Sequence, residues 1–316
     1  MLASHQPLTQ VQQIVICENH AGQRIDNFLS TFLRGVPKSR IYRIIRKGEV
    51  RVNKGRIAVS YRLVKGDTIR VPPIRMSLKE EENHHPGAKL SQVLVQAILY
   101  EDDQLLVINK PAGLAVHGGS GVSLGLIEAI RGMRPDAPFL ELVHRLDRET
   151  SGCVMIAKTR AMLTHLHNCL KEGKIEKHYF ALVHGKWKGG KSVDAPLHKF
   201  VLKSGERRVK VDPEGKASKT LFEVIENLEE ATLLRATPMT GRTHQIRVHC
   251  QFMGHPICGD EKYGFAEQGP ATDKRCNRLF LHAHQLVIDL PYKPYQLIIT
   301  CPMPEGFEKY CQNLRK

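Results

Sequence analysis

Two segments near the start of the chain carry apolar residues at helical spacing, and they predict helices over residues 23–33 and 37–47. The second segment has isoleucines at positions i, i+3 and i+4, and Gly48 marks its end. Alternation of apolar and polar residues then predicts short strands at 50–53 and 68–71, beside glycine-containing turns. This part of the chain is therefore predicted to be a small helix–helix–hairpin domain.

From residue 98 onward the apolar residues fall mainly in short runs that are typical of buried strands. Two of these runs, 221–226 and 231–236, are separated by a short polar link, which favours antiparallel pairing. Helical spacing occurs over residues 124–134 and 161–170. We therefore expect an α+β domain with a mainly antiparallel mixed sheet, flanked by helices and loops. The other predicted strands are 105–108, 154–157, 179–183, 279–288 and 296–301.

Changes of composition divide the 316 residues into four parts, and this length leaves room for about two domains. We expect an N-terminal tail over residues 1–21, the small domain over 22–75, a linker over 76–97 and the large domain over 98–316. The linker is predicted because its sequence is polar and breaks the periodic pattern.

The positive charge of the chain is concentrated in the small domain. The formal net charge is +15 and the pI is about 9.5, which suggests a polyanionic partner. Between Arg34 and Arg75 there are thirteen Lys or Arg residues and two acidic residues. A solvated basic face is the alternative, but this concentration favours contact with the phosphates of a nucleic acid. The residues expected to contact RNA are Lys38, Arg40, Arg43, Lys47 and Arg51.

Other features of the composition argue against several classes of protein. No apolar run approaches the roughly 20 residues that a membrane span requires, and the first residues lack the layout of a secretory signal. The eight cysteines are scattered without a C-x-x-C pair, so we expect neither a disulfide framework nor a zinc knuckle, and a cytoplasmic location. The sequence has no heptad pattern that would indicate a partner chain, so we expect a monomer.

The densest chemical signal is the segment 144–152, which reads H-R-L-D-R-E-T-S-G and precedes an apolar run. It places Asp147 between Arg145 and Arg148, and nearby positive charge favours an ionised carboxylate. Asp147 is therefore a candidate nucleophile or base. The sequence of this segment alone leaves open an ordinary surface ion pair.

Three further clusters contain polar residues in unusual density. Residues 109–119 form a glycine-rich loop that lacks the order of a phosphate-binding P-loop. Tyr179 lies at the start of a predicted strand, where packing and chemistry are equally good interpretations. The segment 240–249 is the most polar, and in a helix it would place His244 and Arg247 on one face.

No cofactor or metal site is predicted. The sixteen histidines include no H-E-x-x-H or other ligand spacing, which argues against a metal-dependent hydrolase. A glycine-rich loop of the strand–loop–helix kind is also absent, which argues against a methyltransferase that uses a nucleotide cofactor.

The small domain resembles the S4 RNA-binding domain over about residues 22–71. The resemblance lies in the segments R-I-D-N-F-L from Arg24, S-R from Ser39, G-E-V-R-V-N from Gly48 and K-G-D from Lys65. It implies recognition of structured RNA through its backbone and shape.

The large domain resembles the RluA family of pseudouridine synthases over about residues 98–303. The family motifs H-R-L-D-x-x-T-S-G, N-K-P-x-G, K-x-Y and G-R-T-H-Q-I-R-V-H occur in the family's order. The resemblance implies that Asp147 is the essential aspartate, that Tyr179 lies beneath the uracil and that Arg247 pairs with the aspartate. It also implies that Arg145 fills the gap left by the flipped base and that Leu281 lines the pocket.

The implied activity is the isomerisation of uridine to pseudouridine in the 23S RNA of the large ribosomal subunit, free or in assembly intermediates. This reaction has no redox change and needs no donor of a chemical group, which agrees with the lack of cofactor motifs. Two alternatives stay open: the same chemistry on another RNA, and a non-catalytic RNA-binding factor that uses the S4-like domain.

Overall fold

The computed structural model describes residues 10–33, 35–74, 86–118, 124–264 and 278–315. The chain forms two compact units. The first reaches to His84 and includes 159–161, and the second contains the remaining residues.

The small unit contains two helices and a three-stranded antiparallel sheet in the order β1-β3-β2. Isoleucines of the second helix are buried, as the helical spacing predicts, and they pack with Phe28 and Leu29 of the first. Both predicted helices and both predicted strands are present. The elements are β1 (Gln12–Val15), α1 (Ile25–Phe32), α2 (Lys38–Arg46), β2 (Arg51–Val52) and β3 (Thr68–Val71), with a 3-10 turn at Glu18–His20.

Strand β1 falls within the segment 1–21 that we expected to be a tail. Its side chains are mostly exposed, so its sequence carries no buried alternation for a pattern to detect. The strand forms because its backbone pairs with β3, where Gln12 lies opposite Val71 and Val15 lies opposite Thr68. The small unit therefore begins earlier than residue 22. Residues 1–9 of the expected tail lie outside the described residues.

The large unit is built on a mixed sheet in the order β4-β5-β7-β14-β8-β13-β12-β9, with β15 on β14 and β6 on β7. Among the described strands, β14 and β7 pair in parallel and the other neighbours are antiparallel. The strands are β4 (Ile98–Glu101), β5 (Leu105–Lys110), β6 (Glu141–Leu142), β7 (Ser151–Ala157), β8 (Glu176–His184), β9 (Ser192–Asp194), β12 (Lys219–Asn227), β13 (Ala231–Pro238), β14 (Leu281–Ile288) and β15 (Leu297–Thr300).

Within the described residues, five helices and a separate hairpin accompany this sheet, which confirms the expected α+β fold class. They are α3 (Ala88–Gln96), α4 (Leu126–Met133), α5 (Arg160–Lys171), α6 (Gln245–Phe252) and α7 (Glu305–Asn313), with the hairpin of β10 (Leu197–Val201) and β11 (Arg207–Val211). Helix α3 lies inside the range 76–97 that we expected to be a linker. Its pattern is weak because Leu94 is its one fully buried side chain. Residues 76–85 of that range lie outside the described part.

Both faces of the central strands are buried. In β5 and β7, alternate residues belong to two different apolar clusters, one on each side of the sheet. Leu106 and Val154 face one cluster, whereas Leu105 and Met155 face the other. This two-sided burial explains why these strands read as continuous apolar runs in the sequence. The first cluster also contains Tyr179, one of the predicted site residues.

Gly152 allows β7 and β14 to approach each other. Its φ is +111°, and a Cβ built there would lie 2.3 Å from the carbonyl oxygen of Ala283, its partner in the parallel pair. An alanine would therefore meet both an unfavourable backbone conformation and a clash with backbone atoms that cannot move aside.

We predict that Gly152→Ala lowers the free energy of unfolding by about 3 kcal/mol, because backbone strain and overpacking add. Gly113→Ala is the matched control, since its φ is +84° but nothing lies within 4 Å of the added Cβ. The control should lose about 1 kcal/mol from strain alone. Thermal unfolding followed by circular dichroism measures both variants, and equal losses would contradict the assigned clash.

Candidate active site

A pocket of about 400 Å³ lies in the large unit, where the segment before β7, the start of β8 and the segment leading into α6 meet. The chain thus brings together residues that are up to 137 positions apart in sequence, since the pocket wall includes His144 and Leu281. All five residues that the sequence predicts for the catalytic half line this pocket: Arg145, Asp147, Tyr179, Arg247 and Leu281.

The loop that carries Asp147 is fixed through its backbone. The N–H of Thr150 donates to the carbonyl of Asp147 at 3.2 Å. The next carbonyl, that of Arg148, accepts the N–H of Gly113 at 2.9 Å, and the Arg148 guanidinium donates back to the carbonyl of Gly113 at 3.0 Å. These bonds fasten the Asp147 loop to the glycine-rich loop that follows β5. Arg148 therefore has a structural role.

Lys110 is fully buried and strengthens the same junction. Its ammonium donates to the carbonyls of Pro111, Leu114 and Arg148 at 2.8–2.9 Å. Burial lowers the pKa of Lys110 to about 7, while the charges of Glu149 and Asp147 oppose that shift. The three carbonyls match the three protons of an ammonium group. Lys110 therefore holds the two loops together from a buried position.

Asp147 is contacted by two side chains from the far end of the sequence. Nη1 of Arg247 lies 3.2 Å from Oδ2 of Asp147, and Nε2 of His244 lies 3.7 Å from Oδ1. In the described residues, neither of the sequence neighbours Arg145 and Arg148 forms an ion pair with Asp147. The Nε atom of Arg148 donates to the carbonyl of Gly113 and lies 3.4 Å from Oε1 of Glu149. The side chain of Arg145 is exposed. Adjacent residues of an irregular loop point in different directions, so sequence proximity does not make them partners.

Arg247 is shared between two carboxylates. Its Nε and Nη2 atoms each lie 2.7 Å from an oxygen of Asp260, in the two-bond geometry that suits guanidinium and carboxylate. The side chain of Asp260 is 0% exposed, and that of Arg247 is 6% exposed. Burial opposes the charge of Arg247, but the bonds and charge of Asp260, with that of Asp147, raise its pKa above the usual value. Arg247 is therefore a fixed cation.

Asp260 is a residue that the sequence analysis missed. One of its oxygens also accepts the backbone N–H groups of Lys262 and Tyr263 at 3.0 Å, so it organises the turn after residue 259. A buried arginine needs an acidic partner, and this requirement could have indicated that an acid such as Asp260 lies close to Arg247. Nothing in the spacing of thirteen residues from Arg247 to Asp260 identifies which acid serves.

The segment before α6 is held by Gln245, the first residue of the helix. Its Oε1 accepts bonds from the Thr240 hydroxyl at 2.7 Å and the Arg242 N–H at 3.1 Å, and its Nε2 donates to the carbonyl of Lys219 at 2.9 Å. The preceding residue, His244, has a left-handed backbone with φ of +53°. Helix α6 therefore begins one residue after His244, whereas the predicted common face of His244 and Arg247 requires a helix that includes both residues. Both side chains still reach Asp147.

Apolar groups form another part of the pocket wall. Tyr179 is the buried fourth residue of β8, and burial followed by the charge of Asp147 raises the pKa of its phenol. Leu281 begins β14 and lies opposite Ala181 of β8, so it is next to Tyr179 on the paired strands. A planar ring and an aliphatic side chain are suited to contact the faces of a flat heterocycle.

Two further residues of the pocket have distinct environments. The ring of His144 accepts the N–H of Met155 at 3.1 Å, and burial lowers the pKa of His144 to about 3. It is therefore a neutral residue that supports the loop. Lys177, from the K-x-Y motif, also lines the pocket, and burial lowers its pKa.

The cations predicted to bind RNA lie on the small unit. Lys38, Arg43, Lys47 and Arg51 are exposed and Arg40 is half-buried. Arg51 donates to the carbonyls of Gly48 and Lys54 at 3.2 and 3.4 Å, which directs its guanidinium along the turn. Within the described residues, no carboxylate neutralises these five side chains. We refer to these five cations as the basic face of the small unit.

Over the ranges that the structure describes, no three His, Cys, Asp or Glu residues are arranged to hold a metal ion. The helices in these ranges are too short or too polar to span a membrane.

Comparison with known proteins gives concordant results for both units. Residues 104–252 match the RNA pseudouridylate synthase family, and residues 23–69 match the S4 domain. Ribosomal large subunit pseudouridine synthase C of Escherichia coli (strain K12) is 53% identical over 309 residues, which cover 96% of this chain and 97% of that protein. The protein of the same name from Vibrio vulnificus (strain CMCP6) is 52% identical, with 97% and 98% covered.

A solved structure with the name Human RNA Pseudouridylate Synthase Domain Containing 4 has the same core fold. It aligns with a TM-score of 0.60 and 27% identity, and it covers 72% of this chain and 96% of its own. The motifs, the pocket and a similarity that extends over nearly the full length therefore agree. The chain belongs to the RluA family of RNA pseudouridine synthases and carries an S4 domain at its N-terminal end.

Proposed function

We propose that this enzyme isomerises uridines in the RNA of the large ribosomal subunit and that Asp147 is its essential catalytic residue. The observation that carries the proposal is the position of Asp147. It is 19% exposed, in a pocket that a guanidinium, an imidazole, a phenol and a leucine line with it. The names of the full-length relatives supply the substrate class.

The reaction breaks the N1–C1′ bond of uridine and forms a C5–C1′ bond, while C5 loses a proton and N1 gains one. Three roles are open to the carboxylate of Asp147: it attacks C1′, adds to C6 of the base or removes the 2′ proton. Each of these steps requires an ionised carboxylate. Arg247 suits this requirement because it stays charged and contacts Oδ2 from a fixed position.

The other predicted residues fit distinct parts of the same process. We propose that the ring of Tyr179 lies beneath the uracil, that Leu281 contacts the base and that Arg145 fills the gap that the base leaves. Arg145 is exposed at the pocket mouth, where a side chain is able to enter the RNA stack. Extruding a base costs a few kcal/mol, least where tertiary structure does not hold it. We therefore propose free RNA or an assembly intermediate as the substrate.

We also propose that the basic face of the small unit, Lys38, Arg40, Arg43, Lys47 and Arg51, binds RNA phosphates. Three of these cations, Arg40, Arg43 and Lys47, lie on the side of α2 opposite its buried isoleucines. Their charge is available to an anionic partner, and they lie along one side of the helix at intervals of three and four residues. Binding of this kind supplies affinity without sequence preference.

Asp147→Asn is predicted to abolish product formation while RNA affinity stays within a few-fold of the native value. The amide keeps the volume of the side chain but cannot act as an anionic nucleophile or base. The assay is nucleotide-resolution pseudouridine mapping of unmodified large-subunit ribosomal RNA, with no added cofactor. Glu149→Gln is the matched control, because Glu149 is an exposed acid in the same loop.

New pseudouridines at a few discrete positions with native protein and with Glu149→Gln, and none with Asp147→Asn, are the expected result. Turnover by a folded Asp147→Asn variant would remove Asp147 from the mechanism. Absence of product with the native protein, on ribosomal and transfer RNA alike, would favour the alternative of a non-catalytic binding factor.

The triple variant Arg40→Gln/Arg43→Gln/Lys47→Gln should bind large RNA more weakly and with a shallower dependence on salt. Each lost phosphate contact reduces the slope of log K against log salt by about 0.7–0.9. Filter binding at several salt concentrations measures the slope. A control with equal charge loss is Arg235→Gln/Lys309→Gln/Arg315→Gln, whose cations already pair with acids. Equal slopes for the two triple variants would refute a specific role of the basic face.

A further inference from the structure

A short chain of hydrogen bonds leads from the protein backbone to His244, whose ring also lies close to the carboxylate of Asp147. The N–H of Val209 in β11 donates to the phenol oxygen of Tyr263 at 3.0 Å. The same phenol oxygen lies 2.7 Å from Nδ1 of His244, and Nε2 of His244 lies 3.7 Å from Oδ1 of Asp147. Tyr263 is 3% exposed, so its hydroxyl is shielded from bulk water.

The tautomer of His244 follows from the groups that its two ring nitrogens face. The phenol of Tyr263 accepts the backbone N–H of Val209 and has a proton to donate to Nδ1 of His244, whereas an ionised carboxylate near Nε2 only accepts. In a neutral imidazole only one nitrogen carries a proton, so Nε2 must then be the protonated nitrogen. The N–H of His244 therefore faces the catalytic carboxylate.

The surroundings of His244 favour its neutral form. Burial lowers the pKa of His244, Asp147 opposes that shift, and the positive charges of Arg247 and Lys262 add to it. The buried carboxylate of Asp260 also faces the ring but is neutralised by Arg247. Taking up a second proton would in addition deprive the Tyr263 hydroxyl of its acceptor. His244 is thus a neutral donor.

Tyr263 also contacts the second partner of Asp147. The guanidinium carbon of Arg247 lies 5.1 Å from the centre of the Tyr263 ring, within the range of a cation–π interaction. One residue therefore orders both groups that face the carboxylate: its hydroxyl contacts His244, and its ring contacts Arg247.

We propose that Tyr263 and His244 are positioning residues, which give the two oxygens of Asp147 different partners during catalysis. Arg247 fixes Oδ2, and the Nε2–H of His244, in the tautomer that Tyr263 selects, directs Oδ1 toward the nucleotide. This inference rests on the proposed role of Asp147. Groups of this kind typically change activity by about 10–100-fold when they are removed.

The first experiment compares three variants with the native enzyme at saturating RNA. His244→Ala removes the donor and should reduce kcat by about 10–100-fold, with KM within a few-fold. His244→Gln carries an amide N–H that is able to reach the position of Nε2, and it should recover a large part of the lost kcat. Tyr292→Phe removes a hydroxyl that bonds to Asp102, outside the pocket, and should keep the native kcat.

The second experiment follows kcat of Tyr263→Phe against pH. Without the phenol proton on Nδ1, the imidazole accepts a proton more readily, so its pKa rises. The acidic limb of the profile should then move to higher pH than in the native enzyme and in Tyr292→Phe. The NMR shifts of the ¹⁵N nuclei of His244, assigned by their loss in His244→Gln, should show a proton on Nε2 in the native protein and a mixture of tautomers in Tyr263→Phe.

A native kcat in His244→Ala, or a folded His244→Gln variant that is no better than His244→Ala, would overturn the proposal. An Nδ1 proton in the native protein would overturn it as well. The NMR measurement needs no activity. An Nε2 proton in a protein that forms no pseudouridine would therefore refute the proposed reaction and leave the hydrogen-bond chain in place.

Discussion

The organisation of the site depends on a buried arginine that is shared by two carboxylates. Asp260 binds Arg247 through two short bonds and is wholly buried, whereas the partly exposed Asp147 receives a single longer contact. This asymmetry separates two tasks. The Asp260 pair keeps a charge inside the protein, where breaking it would cost about 3–5 kcal/mol. The remaining guanidinium nitrogen is then available to the carboxylate that faces the pocket.

The rest of the large unit brings this arrangement together from distant segments. Asp147 precedes β7, Arg247 lies in α6 and Asp260 follows that helix. The parallel contact of β7 with β14 places the start of β7 near Leu281, and Lys110 donates a hydrogen bond to the backbone of the loop before β7. Each of these fixed points is a backbone contact or a buried polar bond. The protein's own contacts therefore hold the pocket residues in position.

The sequence was sufficient to predict the elements whose residues are buried in a regular pattern, such as α2 and the central strands β5 and β7. It failed for β1, which is held by backbone pairing alone, and for α3, which buries little. Local pattern reflects burial, so elements with exposed side chains leave almost no trace in it.

For the site, the motifs identified the residues that line the pocket but not the way in which they are connected. Asp147 and Arg247 were predicted as a pair. The anchoring role of Asp260 and the contact between Tyr263 and His244 depend on how α6 and the turn after it pack. They also depend on the left-handed backbone of His244, which no spacing rule indicates. The ion-pair partners of Asp147 are likewise distant in sequence and not its neighbours Arg145 and Arg148, since the side chains of neighbouring loop residues point in different directions.

The most direct test of the account is the rate of pseudouridine formation by Asp260→Asn, measured at saturating RNA together with the thermal midpoint. Asparagine keeps the volume and one acceptor for the backbone N–H groups but releases Arg247 from its anchor. We expect kcat to fall at least about tenfold, with KM within a few-fold. Should this variant fail to fold, Arg247→Lys serves instead, because lysine keeps the charge but cannot bridge two carboxylates. A folded variant with the native kcat would contradict the account.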